Sequence, residues 1–480
     1  MADFTGFVGA AYQAPSIYQD AQECINWYPE IDPTKAPEAR GVQALYPTPG
    51  LIQQIQLPVV AEVRCMYVLP GGASMIAVCG ASVYLVNSAL VASSIGTLTT
   101  STGQVSISDN RIAAYIVDGA NRYTYTIASG VFATIAITDG AFVGATRVDY
   151  CDDFLIYNMP GSNQWAATSA LSTVTPALSF SSKDSSPDNL VTLIADHREV
   201  FLIGEKTTER WVNVGAFPFP FQRIPGTSTQ HGCAAKSSVS RLGESVCWLS
   251  QDGRGQSIVI MMVGYQPKRI STHAVESDIS GGVISDAIAY TYQQGGHEFY
   301  VLTFPAQDKT WVYDVATDMW HKRAYRDNLN ILHRHLSNCH AVFQGMNLVG
   351  DFSNGMIYSL DQNTFTDNGQ PILRLRRTPH LTDSFNRVYF DFLQIQFQPG
   401  VGLVTGQGST PQMMLRWSND GGSTWGAPYV IAIGAMGAFK NRAVKRRMGW
   451  ARDRVYEVSI TDPVRAVIIS AELQTTDGKS

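Results

Sequence analysis

Apolar and polar positions alternate in short runs along almost the whole chain, and each run ends at Gly, Asn, Asp or Ser. SMIAVCG, SVYLVN, RIAAYIVDG, RYTYTIASG, FLIYNMPG, EVFLIGEK, SVCWLSQDG and SIVIMMVG are typical. Runs of about four to eight residues bounded in this way read as β-strands. No window of about twelve residues carries apolar spacing of three and four, so helix is not expected. The pattern predicts an all-β protein.

From residue 61 to 365 the runs recur in weakly similar units. RIAAYIVDGANRYTYTI, FLIYNMPGSNQWAATS, VFLIGEKTTERWVNVG, FYVLTFPAQDKTWVYDV and NLVGDFSNGMIYSLD each place an apolar strand, a turn, and then a strand bearing Tyr or Trp. Inner and outer strands of a propeller blade need that order, and at roughly 40 to 50 residues per blade the region holds about six or seven blades. An array of β-sandwiches has similar strands; unit length and the aromatic in the second strand favour the β-propeller.

The flanking regions differ. Residues 1–60 contain INWYPEIDPTKAPE and ALYPTPGL, rich in Pro and aromatics, and read as an extended N-terminal segment. Residues 366–480 carry LRLRRT, RVYFDFLQIQFQ, QMMLRWSND, RVYEVSI and VRAVIISAEL, whose alternation predicts a C-terminal antiparallel β-sandwich-like module with one apolar face.

Charge sharpens this division. Residues 1–365 hold 21 Lys and Arg against 31 Asp and Glu, a balance of −10, whereas residues 366–480 hold 14 against 9, a balance of +5. The two regions face different partners, or each other. Seven cysteines, odd in number and without a C-x-x-C pair, read as reduced core thiols. The uncharged stretch between Arg64 and Asp109 is too rich in Gly, Ser and Asn for a spanning helix, so no membrane insertion is expected. MADFTGFVGAAYQ lacks the basic and apolar regions of a secretion signal.

Four groups of residues invite a chemical reading. Ser418, Asp420, Gly422, Thr424 and Trp425 fit the S-x-D-x-G-x-T-W Asp-box that resembles a sialidase repeat. Asp420 accepts backbone N–H bonds across such a turn, so the box is a folding device. FQRIP, with Arg223, resembles the arginine motif of that family and keeps a sialidase-like or glycan-binding tail protein as the alternative. Yet the box occurs once, outside the repeats; SQDGRGQS from Ser250 is an incomplete second copy. His333, His335, Cys339 and His340 have zinc-ligand chemistry, but polar histidines at a strand edge are commoner, and neither metal nor cofactor is expected. KNRAVKRRMGWARDR, residues 440–454, has seven Lys or Arg in fifteen positions against one acid, Asp453. Lys440, Arg442, Lys445, Arg446 and Arg447, and a second group of Arg374, Arg376 and Arg377, are candidates for an interface or for phosphate contact, with protein contact favoured by the adjoining Trp450.

CINWYPE (24–30), LYPTPGL (45–51), VSISDNRIAAYIVDG (105–119), TTERWVNVGAFPFPFQRIPG (207–226), VCWLSQDGRG (246–255) and LRWSNDGGSTWG (415–426) together resemble the packaged-DNA stabilisation, or tail hub and nozzle, proteins of short-tailed bacteriophages. The resemblance spans nearly the whole chain in consistent order. It implies a non-enzymatic virion component made in the host cytoplasm and assembled as a ring, a homohexamer, beneath the portal and its adaptor proteins. Such a ring carries tail spikes or fibres and a needle or tip, retains packaged double-stranded DNA, and forms part of the ejection channel without reading sequence. The basic run 440–454 departs from the resemblance.

Overall fold

A computed structural model describes residues 2–35, 41–136, 144–251, 255 and 257–478. Seven antiparallel sheets follow one another as blades of a β-propeller. Blade one is Val63–Val68, Ser74–Cys79, Ser82–Asn87 and Ala92–Thr97; blade two is Ser106–Asp109, Ala113–Val117, Arg122–Thr126 and Val131–Thr134. Blades three and four run from Val148–Cys151 to Phe180–Ser182 and from Leu190–Asp196 to Phe221–Arg223. Blade five contains Ser240–Leu242, Ser245–Gln251, Ser257–Val263 and Gln266–Arg269; blade six contains Ile288–Gln294, His297–Phe304, Lys309–Asp314 and Met319–Lys322. The seventh blade has only three strands of its own, Ser337–Phe343, Met346–Asp351 and Met356–Asp361.

Its fourth strand comes from the other end of the sequence. Gly50–Gln56 pairs antiparallel with Met356–Asp361, Leu51 opposite Leu360 and Ile52 opposite Ser359. The ring is thereby closed by hydrogen bonds between its last blade and the segment that leads into its first. Gly50 is required for contact rather than conformation: a Cβ there would lie 2.5 Å from the carbonyl oxygens of Thr364 and Thr366.

The C-terminal sandwich also borrows from the N-terminus. One sheet orders Trp27–Ile31, Gln43–Pro47, Ile468–Asp477, Val388–Phe397 and Ala443–Arg446, with Ala2–Asp3 added at Leu473 and Glu472. The other orders Ala21–Ile25, Arg374–Arg377, Asp453–Ile460, Gln412–Ser418 and Tyr429–Ala432, and joins blade six where Ile25 meets Lys322. The N-terminal segment, expected to be extended, therefore supplies strands to both units from its described residues. Their Pro and aromatic content marks crossings between sheets: Trp27 is fully buried and donates its indole N–H to Ala466 O at 2.8 Å. One apolar core runs from Trp311 and Trp320 of blade six through Trp27 to Leu393 and Tyr456 of the sandwich.

Alternation in Val388–Phe397 breaks once. Val388, Phe390, Leu393 and Ile395 point inward, and a bulge between Phe390 and Phe392 absorbs the extra residue. One helix is described, His273–Ser280, shorter than any periodicity window, with Thr272 capping the Val275 N–H. Among the described residues no helix is long and apolar enough to cross a membrane.

Candidate interface and the Asp-box hairpin

The Asp-box forms the turn after Gln412–Ser418. Asp420 Oδ1 accepts the Ser418 hydroxyl at 2.6 Å and the Thr424 N–H at 2.8 Å, and Oδ2 accepts the Thr424 hydroxyl at 2.6 Å. Those bonds hold its carboxyl down at about 2. Gly422, at φ 98°, accepts the Trp425 indole N–H at 3.1 Å. Arg377 and Arg416 lie over the Trp425 ring at 4.8 and 5.0 Å, and both bond to the Glu457 carboxylate. Every polar group of the box is used to shape the hairpin. Of the partial copy from Ser250, residues 252–254 and 256 lie outside the described residues.

Arg223 is exposed on the outermost strand of blade four. Of the longer segment that contains it, Glu209, Trp211 and Phe221 are buried, whereas Phe217 and Gln222 are exposed. Glu209, fully buried, accepts the Trp211 indole N–H at 3.0 Å; Trp165 packs edge to face against Trp211 and Phe219 and tilted against Phe221, between blades three and four.

The histidine group does not converge. His333 faces Asp308 at 2.6 Å, while His335 is buried against Ser337 at 2.7 Å. His340 bonds Asn347 and stacks on Tyr290, and the Cys339 thiol is directed at Val63 O. Burial pushes the Cys24, Cys65, Cys151 and Cys233 thiols up to about 12, which fits inert core thiols.

The basic residues separate into two populations. Arg374 and Arg376 of the second group are completely buried. Arg376 donates to the carbonyls of Gly6, Phe7, Ala10 and Glu23 and to Gln22, at 2.6 to 3.3 Å, so it anchors the N-terminal strands rather than offering itself to phosphate. Arg454, also fully buried, bonds Asn419 and lies 4.1 Å over Phe390. Lys440, Arg442, Arg446 and Arg447, in contrast, are exposed, and neither they nor Lys445 form an ion pair among the described residues. Lys445 sits 3.4 Å over Tyr429 and Arg446 5.2 Å over Phe392. They flank two open sheet edges, Ala443–Arg446 and Tyr429–Ala432, where Tyr429, Val430, Met436 and Phe439 are exposed. The face is thus cationic at its tips and apolar beneath.

Residues 65–365 match the family model described as Bacteriophage P22 Gp10, beta-propeller, and residues 374–476 match the one described as Bacteriophage P22 Gp10, beta-sandwich. The chain belongs to the Bacteriophage P22 Gp10 family. This is the tail hub and DNA-stabilisation family of short-tailed phages, a structural family of the virion rather than an enzyme family. No curated protein matches the chain. Solved structures with similarity to it include the extracellular domain of the one-component system BT4673 from B. thetaiotaomicron, at 11% identity and TM-score 0.45, covering 76% of this chain and 45% of that one. The chain spans less than half the length of that protein. The WD40 beta propeller domain of Doa1 has 10% identity and TM-score 0.41, covering 65% of this chain and 98% of that one. YCF48 from Cyanidioschyzon merolae has 12% identity and TM-score 0.43, with 65% and 99% covered.

Proposed function

We propose that this protein is the tail hub, or nozzle, that seats beneath the portal and adaptor proteins as a ring of copies, six by the family resemblance, retains packaged DNA and forms part of its exit channel. The observation that carries the reading is the family match, which takes in propeller and sandwich in one chain and in order. A closed propeller suits the task mechanically, because radial closure leaves few free strand edges in a part that bears pressure. The exposed cations Lys440, Arg442, Arg446 and Arg447 beside apolar Phe439 and Val430 suit a protein interface, with the acidic surface of residues 1–365 as a complementary partner on a neighbouring copy or an adaptor. The lumen of the ring is expected to be neutral or acidic, since a continuous Lys and Arg wall would grip the DNA backbone. Tail spikes or fibres and a needle attach to the same ring in this reading.

Imaging of the purified protein mixed with its portal and adaptor tests it. A ring on the tail axis is the expected result. A subunit that stays monomeric and unattached would overturn the assignment, as would turnover of a fluorogenic sialoside.

A further inference from the structure

The seven inner strands surround a cavity of about 420 Å³ on the propeller axis. Arg147, Asp149 and Arg241 line it, together with Gln104, Thr291 and Asn338. The charges there are unequally satisfied. Asp149 accepts the Ala195 N–H at 2.9 Å and Arg241 Nη2 at 2.7 Å. Arg241 Nε donates to Ala195 O at 3.0 Å, which leaves its Nη1 engaged by neither group. Arg64 is held by the carbonyls of Gly80, Thr100, Thr102 and Gly103.

Arg147 has no such arrangement. Its Nε is buried and without a hydrogen-bond partner. Burial, reinforced by the nearby Arg241 charge and opposed by Asp149, makes its guanidinium easier to deprotonate than a free one, although it remains charged. A buried guanidinium N–H lacking an acceptor is costly, and the ordinary remedy is an anion or ordered water in the adjoining space. Water satisfies the donors but leaves two guanidinium groups repelling each other. An anion resolves both.

We infer that the propeller axis binds a small oxyanion, inorganic phosphate or a phosphate monoester, held by Arg147 with Arg241 Nη1 as second donor. Planar guanidinium forks match phosphate oxygens. The cavity is within the about 300–1,000 Å³ of ordinary small-ligand sites and far too small for duplex DNA, so the site is separate from any path the genome takes. It is also separate from the exposed cations of the sandwich.

Calorimetric titration of the full-length protein, in buffer free of phosphate and sulfate, tests the site in two arms, inorganic phosphate and adenosine monophosphate. Saturable binding at one site per chain is expected, weakened at least tenfold by Arg147→Met and unchanged by Arg223→Met on the exposed outer strand. Binding in both arms supports the phosphate group as the ligand, and binding of the monophosphate alone supports the monoester. Should Arg147→Met not fold, Arg147→Lys serves, with the same loss expected. Absence of saturable binding by the wild type, or wild-type binding by a folded Arg147 variant, overturns the inference.

Discussion

Asn26 and Ala324 are bonded in both directions: the Asn26 amide donates to Ala324 O at 2.9 Å, and its Oδ1 accepts the Ala324 N–H at 3.0 Å. The same amide donates to Leu373 O at 2.8 Å, so one buried side chain joins the N-terminal strands, the exit from blade six and the entry to the sandwich. Its φ of 55° lies in the left-handed region, where Gly is free, Asn is tolerated and most other residues with a Cβ are strained. Asn26→Gly keeps the backbone but loses the bridge, and is expected to cost on the order of 3 kcal/mol. Asn26→Ala adds the strain and costs more. Urea unfolding of the three proteins measures both steps; equal midpoints for wild type and Asn26→Gly would show that the bridge contributes nothing.

Closure of the ring by Gly50–Gln56 gives a second expectation. Leu51 is 1% exposed, so Leu51→Ala is expected to lose about 2–5 kcal/mol. Gly50→Ala forces a methyl against two carbonyl oxygens and is expected to destabilise comparably, although its φ is ordinary. Thermal melting followed by near-ultraviolet circular dichroism reports both; a Gly50→Ala protein as stable as wild type would contradict the close approach.

The two populations of arginine are distinguishable by substitution. Arg376→Met leaves several buried carbonyls without a donor and is expected to cost about 3 kcal/mol or more. Arg446→Ser, at an exposed position, is expected to change stability by less than about 0.5 kcal/mol. The combined substitution of Lys440, Arg442, Arg446 and Arg447 by Ser is expected to preserve the fold while weakening ring assembly, read by sedimentation velocity. Intact assembly would remove the basic face from the interface.

His297 predicts a pH dependence. Its imidazole lies between Asp314 at 2.8 Å and Glu30 at 2.5 Å, and the hydrogen bond to Asp314 foremost raises it to about 9, against burial. A group raised on folding contributes its full stabilisation below its ordinary value near 6.5 and loses it as pH rises through 9. Stability is therefore expected to fall by on the order of 1–3 kcal/mol over that window, discounted because Glu30 is partly exposed. His297→Gln is expected to flatten the slope. An unchanged alkaline slope in urea midpoints would assign it to other groups.

Most of the propeller was legible because strands with one buried face announce themselves by alternation, and turns by Gly and Asp. The Asp-box was equally legible, since the bonds of Asp420, Thr424 and the Trp425 indole lie within a few residues. Closure was not. Nothing in GLIQQIQ tells that its partner is MIYSLD near the other end of the region, because pairing partners are set by tertiary packing. Arg374 and Arg376 were misjudged for a related reason. In LRLRR the charge implies exposure, yet the alternation places Arg374 and Arg376 inward, where the carbonyls that accept them belong to strands remote in sequence. In the 440–454 run the same limit hid Arg454. The bulge at Asp391 reset the inward face without any Gly to mark it.

The central strand of one sandwich sheet, Ile468–Asp477, follows every other described strand in sequence, and it stands between strands that include Gln43–Pro47 from the first fifty residues. Trp27–Ile31 and Gln43–Pro47 can pair with each other early, but their sheet has no centre until Ile468–Asp477 is in place. Without that strand Val388–Phe397, which carries Ala443–Arg446 on one side, has no partner on the other. In the proposed ring, copies without Ile468–Asp477 would be excluded by their own topology, without any need for a separate inspection step.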